Sequence, residues 1–125
     1  MLALYVAVTV VTALANAGFA GADFKRASFV LANSAQVGVP TSWLPWLGAL
    51  KAAGAVGLLI GLFGTLVEVA VLQVLGVAAA AGLVLFFTGA LITHVRAGVL
   101  CNLYFPGGCW LSAAASLALA YVHLP

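Results

Sequence analysis

The chain has 125 residues, of which 66% are hydrophobic and only 5% are charged. Because a soluble domain carries about 25% charged residues, this composition excludes a water-soluble fold and indicates an integral membrane protein. The net charge of +2 comes from four basic and two acidic residues, too few for a nucleic-acid surface.

Long runs of alanine, leucine, valine and glycine predict helices rather than the alternating pattern of a membrane β-barrel. The sequence also contains no phosphate-binding loop, CxxC, HExxH or nucleophile-elbow motif, so it shows no soluble-enzyme chemistry. We predict an all-α integral membrane four-helix bundle in a single domain, with a short amphipathic segment between helices 1 and 2. The four helices are expected at about 2–22, 42–63, 66–95 and 110–124.

The first predicted helix carries a polar stripe formed by Tyr5, Thr9, Thr12, Asn16 and Asp23. Their spacing places these residues on one helical face. In hydrocarbon this face must look into the bundle, either toward a ligand or toward the backbone and neighbouring helices. A cleaved signal peptide is the competing interpretation of this run. The run lacks a basic start and is long enough to span the membrane, so we expect a retained helix.

Residues 21–40 are the least hydrophobic part of the chain, because Lys25, Arg26, Asn33 and Gln36 interrupt the apolar residues there. This mixture favours a short amphipathic segment at one membrane face. The segment is predicted to be either a lid over an intramembrane cavity or a connector that lies on the surface.

The second predicted helix begins with a turn, with Thr41 or Ser42 as N-cap and Pro45 in its first turn. Gly57 and Gly61 form a GxxxG stripe along this helix. Small residues let another membrane helix approach closely, so this stripe predicts helix packing and offers an interface for a homo-oligomer.

The third predicted helix begins with Thr65 and Glu68, which fit a capping box, and ends near His94 and Arg96. A basic residue such as Arg96 at a helix C-terminus is ordinary anchoring at a membrane interface. His94 is less routine, because it lies about one turn inside that end.

The connection to the fourth helix contains both cysteines, Cys101 and Cys109, around a Tyr-Phe-Pro-Gly-Gly turn. They could form a disulfide, serve as a dithiol, or be unrelated small residues. Two cysteines cannot complete a closed zinc site, and no histidine has ligand spacing with them, so no metal site is predicted.

Lys51 is the most unusual residue of the hydrophobic segments, because a lysine at the bilayer centre costs roughly 2.5–3.5 kcal/mol on insertion scales. It either snorkels toward the interface or pairs with Asp23 and His94, which antiparallel crossings bring to the same side. Such a cluster could hold a polar head group, a quinone carbonyl or an anion, or relay a proton. The candidate ligand-binding residues are Asp23, Lys51, His94, Arg96, Asn16 and Thr12.

All lysines and arginines fall toward the side of the bundle that carries Asp23 and His94. This predicts that the side faces the cytoplasm and leaves both termini outside. An oxidised Cys101–Cys109 pair would indicate the opposite orientation.

Three stretches resemble the DoxX-like family. They are GADFK after the first helix, GVPTSWLPWLGALKAAGAVGLLIGL, and FFTGALITHVRAG near the end of the third helix. The resemblance implies a compact four-helix membrane protein. It marks Lys25, Pro40, Gly48, Lys51 and the run His94-Val95-Arg96. Many relatives have glutamate where this chain has Lys51, so an amine replaces a carboxylate there.

Relatives in that family include a membrane subunit of thiosulfate:quinone oxidoreductase and membrane partners of redox enzymes. By this resemblance we expect a non-catalytic membrane subunit or a bundle that binds quinone or lipid, with a redox partner, in a bacterial inner membrane. Two alternatives remain open. One is a quinone-linked oxidoreductase component that uses a Cys101/Cys109 dithiol, and the other is a small homodimeric transporter.

Overall fold

A computed structural model of the protein describes residues 1–101 and 103–125, and their regular structure is helical. Four helices are long and apolar enough to cross a membrane, counting the 3₁₀ turn Thr41–Trp43 with the helix that follows it. The predicted all-α bundle is therefore confirmed, and its short segment between the first two crossings is a helix of its own. The helices are α1 Leu2–Lys25, α2 Ser28–Val37, α3 Leu44–Leu66, α4 Ala70–Arg96 and α5 Tyr104–Val122.

The bundle is held together mainly by the contacts of α3 with α1 and α4 and by those of α5 with α4 and α1. The crossings alternate in direction, so the end of α1, the start of α3, the end of α4 and the start of α5 share one side. We call this the α2 side, because α2 lies there and packs against α4.

The polar stripe of α1 faces the bundle interior, as predicted, and all five of its members are buried. Thr12 donates a hydrogen bond to the carbonyl of Val8 at 2.7 Å and accepts one from Ser116 of α5 at 3.1 Å. Hydroxyl groups in hydrocarbon commonly bond in this way, so the middle of the stripe joins α1 to α5.

Small residues bring α3 and α4 into contact on the side away from α2. A side-chain carbon at Gly57 would lie 2.5 Å from that of Ala79, and one at Gly61 would overlap the backbone of Gly76. The GxxxG stripe therefore packs within the chain. A homo-oligomer through Gly57 and Gly61 stays a prediction, and it would have to share this face with α4.

The predicted N-caps of the second and third crossings are wrong. Thr41 and Ser42 lie in the 3₁₀ turn, and Trp43 precedes α3 without a side-chain capping bond, although Pro45 does lie in the first turn. The capping box fails because the Thr65 hydroxyl donates to the carbonyl of Gly61 at 3.2 Å, inside α3. The third crossing therefore begins at Ala70 rather than near 66.

Glu68 lies in the turn between α3 and α4 with a φ of 57°, in the left-handed region. It is exposed, so its carboxylate meets solvent or lipid head groups rather than the helix terminus.

The fourth crossing, by contrast, begins earlier than predicted, at Tyr104 instead of about 110. Pro106 lies in the first turn, where a helix has no intrahelical acceptor for the missing N–H group. The Pro-Gly-Gly sequence is therefore the start of α5 rather than a turn, and Cys109 is a helical residue.

Candidate functional site

A cavity of about 460 Å³ opens on the α2 side of the bundle. Every helix contributes to its wall, and the lining is mostly aromatic and aliphatic. The apolar residues that matter most for its shape are Phe19, Phe29, Trp43, Leu50, Phe86, Phe87 and Phe105.

The cavity arises from the distribution of large and small residues along α3 and α4. On the far side Gly61 and Gly76 bring the two backbones together, which leaves no space between them. On the α2 side the corresponding stretch of α4 carries Phe86 and Phe87, whose rings stand edge to face at 5.1 Å. Both rings line the cavity, where α4 therefore presents bulky side chains instead of a glycine contact.

Asp23 and Lys51 form an ion pair in the cavity wall. The ammonium nitrogen of Lys51 donates to Oδ2 of Asp23 at 2.9 Å, and the side chains are only 12% and 4% exposed for Lys51 and Asp23 respectively. The ammonium also lies 5.4 Å from the centre of the Phe86 ring, within the range of a cation–π interaction. Lys51 therefore pairs with Asp23 inside the bundle, as one of the two predicted alternatives has it.

Gly48 makes this pairing possible, because it lets α1 and α3 approach at that level. A side-chain carbon at Gly48 would lie 3.1 Å from Cβ of Asp23 and 3.2 Å from the carbonyl oxygen of Ala20. The close approach places the Asp23 carboxylate within reach of Lys51, one turn further along α3.

His94 lines the same cavity but bonds to different partners from those predicted. Its Nδ1 lies 2.7 Å from the carbonyl oxygen of Ala90, and its Nε2 lies 3.3 Å from Oδ1 of Asn33. Because the carbonyl can only accept, Nδ1 carries the proton, and in a neutral ring Nε2 then accepts from the Asn33 amide turned so that its NH₂ group faces the ring. His94 therefore connects α4 to α2 across the cavity from the ion pair.

The helix α2 forms part of the cavity wall, which fits the lid of the two predicted alternatives, and the lid function stays a prediction. The sequence identifies Asn33 as a polar interruption of this segment but does not predict it as a site residue. The sequence did contain a signal for Asn33, since this residue shares helical spacing with the other residues of α2 that line the cavity. They are Phe29, Val30, Asn33, Ser34 and Val37.

Three of the predicted site residues lie outside this cavity. Thr12 and Asn16 lie deeper along α1, where the Asn16 amide donates to the carbonyl of Thr12 at 2.9 Å. Arg96 is exposed at the end of α4. The structure thus brings together Asp23, Lys51 and His94 at one cavity and separates the other three from it.

The two cysteines are free, so the structure contains no disulfide between them. Cys101 is exposed in the connection between α4 and α5, and Cys109 is half-buried against the core. Neither is part of the cavity wall. A dithiol role for the pair stays a prediction.

Within the described residues, no group of three or more His, Cys, Asp or Glu side chains is placed to hold a metal ion. The candidate site is therefore defined by an ion pair, a histidine–asparagine contact and apolar walls.

Comparison with known proteins gives one match. The model of the DoxX-like family matches residues 7–119, a range that includes Asp23, Lys51 and His94. No curated protein and no solved structure matches the chain.

Proposed function

Since the chain belongs to the DoxX-like family and is a multi-pass membrane protein, we propose that it is a binding subunit without catalytic activity of its own. Its ligand would be a lipophilic molecule such as a quinone or a lipid, held in the cavity beneath α2. The observation that carries the proposal is the Asp23–Lys51 pair in the wall of an otherwise apolar cavity.

The size and lining of the cavity support this proposal. Small-molecule sites are typically clefts of about 300–1,000 Å³ with mostly apolar walls and a few placed polar groups. A volume of about 460 Å³ falls in that range, and the polar groups come from α1, α2, α3 and α4. A ligand here would contact four helices at once.

The ion pair supports the proposal for an energetic reason. Removing two charges from water costs several kcal/mol for each ion, so a buried pair stabilises a fold less than apolar packing often would. Ionisable residues in membrane segments are for this reason commonly functional. The pair is therefore better explained by a ligand that uses its hydrogen bonds than by stability.

A redox setting and a bacterial inner membrane are further parts of the proposal, and the family resemblance is what supports them. A soluble redox partner would meet the α2 side, where Lys25, Arg26 and Arg96 are exposed. We place the dithiol enzyme second, because Cys101 and Cys109 lie outside the cavity wall. A homodimeric transporter stays a third proposal, without a specific contact that favours it.

Native mass spectrometry of the full chain in a mild detergent, combined with lipid and quinone extraction, tests this function. We expect a bound lipophile that is lost in Lys51→Met, because the variant removes the donor of the ion pair. The matched control is Lys25→Met, which changes an exposed lysine on the same side and should retain the ligand.

Wild-type protein that carries no lipophile and copurifies with a soluble oxidoreductase would contradict ligand binding and would indicate an anchor. A ligand retained equally by both variants would show that it binds elsewhere.

A further inference from the structure

We infer that the cavity selects an amphiphile with an uncharged head that carries a carbonyl or hydroxyl group, and that it rejects anionic amphiphiles such as fatty acids. This inference rests on the proposed function and specifies its ligand. It follows from the charge and the hydrogen-bonding capacity of the cavity wall.

The first step is the charge balance. With His94 neutral, Asp23 and Lys51 carry the formal charges among the described residues of the wall, and these cancel at a separation of 2.9 Å. A carboxylate ligand could also accept from a free N–H of Lys51, but it would bring a second negative charge to a single cation. One negative charge would then stay uncompensated in a medium of low dielectric constant, which is strongly unfavourable.

The second step is the hydrogen-bonding capacity that remains. An ammonium group has three N–H donors, and a carboxylate offers about four acceptor positions. Within the described part of the chain, the contact between Lys51 and Asp23 uses one of each. A ligand carbonyl can therefore accept from Lys51 while a ligand hydroxyl donates to Asp23, and neither bond disturbs the pair.

The third step is the shape of the surroundings. The Phe86 ring lies beside the Lys51 ammonium, and Phe19 meets Phe105 edge to face at 4.7 Å across the wall. These aromatic faces provide apolar contact for the body of the ligand next to the polar head. A quinone or quinol and a glycerolipid such as diacylglycerol share this head-group chemistry.

Equilibrium binding to the purified full chain in mild detergent tests the selectivity. The radiolabelled probes are a short-chain benzoquinone, a diacylglycerol and a fatty acid of matched chain length, at a pH where the acid is ionised. We expect saturable binding of at least one neutral probe and no competition by the fatty acid. Which neutral probe binds distinguishes a quinone from a glycerolipid.

Two results would overturn the inference in different ways. Binding of the fatty acid as tightly as the neutral probes would disprove charge selection but leave lipophile binding intact. Binding of no probe would contradict the proposed function as well.

Asp23→Asn provides a sharper test, because it keeps the shape of the side chain and leaves Lys51 as an unpaired cation. We expect its fatty-acid affinity to rise by about tenfold or more, as close charge pairs in binding sites commonly contribute that much. Lys25→Gln, at an exposed position, should keep wild-type selectivity. Continued exclusion of the fatty acid by a folded Asp23→Asn variant would disprove the role of the ion pair.

If Asp23→Asn folds poorly, a second variant still tests the inference. Lys51→Gln keeps the carboxylate and removes the cation, so it should bind the fatty acid no better than the wild type does. A gain of fatty-acid binding in Lys51→Gln would contradict the inference.

Discussion

Asp23 and Lys51 show how two single residues on different helices become one unit. Each charge alone would be costly at this depth, and Gly48 lets the two helices come close enough to pair them. Because the pair is nearly buried, the consequence of losing one partner differs from that of losing both. This difference can be measured.

We predict that Lys51→Met destabilises the protein by about 3–5 kcal/mol, the usual cost of leaving one buried charge unpaired. The double variant Asp23→Asn/Lys51→Met should recover most of that loss, since it leaves no charge behind. Unfolding in mixed detergent micelles, followed by helical circular dichroism, measures both. The exposed Lys25→Met should change the free energy of unfolding by less than about 0.5 kcal/mol.

If the double variant lost as much free energy of unfolding as the two single variants Asp23→Asn and Lys51→Met lose together, the charges would act independently. The predicted coupling of Asp23 and Lys51 would then be wrong.

At the scale of the elements, the contact between α3 and α4 has two halves. In the closed half, away from α2, the helices touch, and in the open half, toward α2, a cavity lies beside them. The two helices are in close contact at Gly61 and Gly76, and Phe86 and Phe87 line the cavity beneath α2. The same pair of helices therefore provides both the rigid contact of the bundle and the space for a ligand.

Gly61→Ala tests the closed half. The added carbon would overlap the backbone of Gly76, which cannot move aside as a side chain can. We expect a loss of about 1–3 kcal/mol, as is usual when a packed contact is overfilled. The matched control is Gly82→Ala on α4, where an added carbon meets nothing within 4 Å.

Alanine at position 82 should be neutral or slightly stabilising, because glycine is the poorer helix former. Equal stability of the two variants in the same unfolding assay would show that the contact between α3 and α4 tolerates more space than the structure indicates.

The whole molecule has a pronounced asymmetry between its two ends. The α2 side carries all four lysines and arginines, the cavity and the exposed Cys101. Both chain termini and Glu68 lie on the other side. The positive-inside rule then predicts that the α2 side faces the cytoplasm.

Cysteine labelling tests this orientation. A membrane-impermeant maleimide should label Cys101 in inverted membrane vesicles and leave it unlabelled in intact cells. Cys101→Ser is the control, since the half-buried Cys109 should then react weakly from either side. Labelling of Cys101 from outside intact cells would show the opposite orientation.

Much of the architecture follows from local patterns in the sequence. Apolar runs and polar periodicity are properties of neighbouring residues, so they predicted four crossings, the inward polar stripe of α1 and the short segment that became α2. Helix termini were less predictable. Thr65 has the residue type of a cap but bonds within its own helix, and Pro106 lies in the first turn of a helix although a Pro-Gly-Gly sequence is typical of a turn.

The candidate site depended on tertiary structure for most of its detail. The sequence alone placed Asp23, Lys51 and His94 at one end of the bundle, because antiparallel crossings bring the ends of neighbouring helices together. Whether they touch depends on helix rotation and separation, which distant residues such as Gly48 and Phe86 determine. For this reason only the fold shows that Asp23 pairs with Lys51 and that His94 bonds to Asn33.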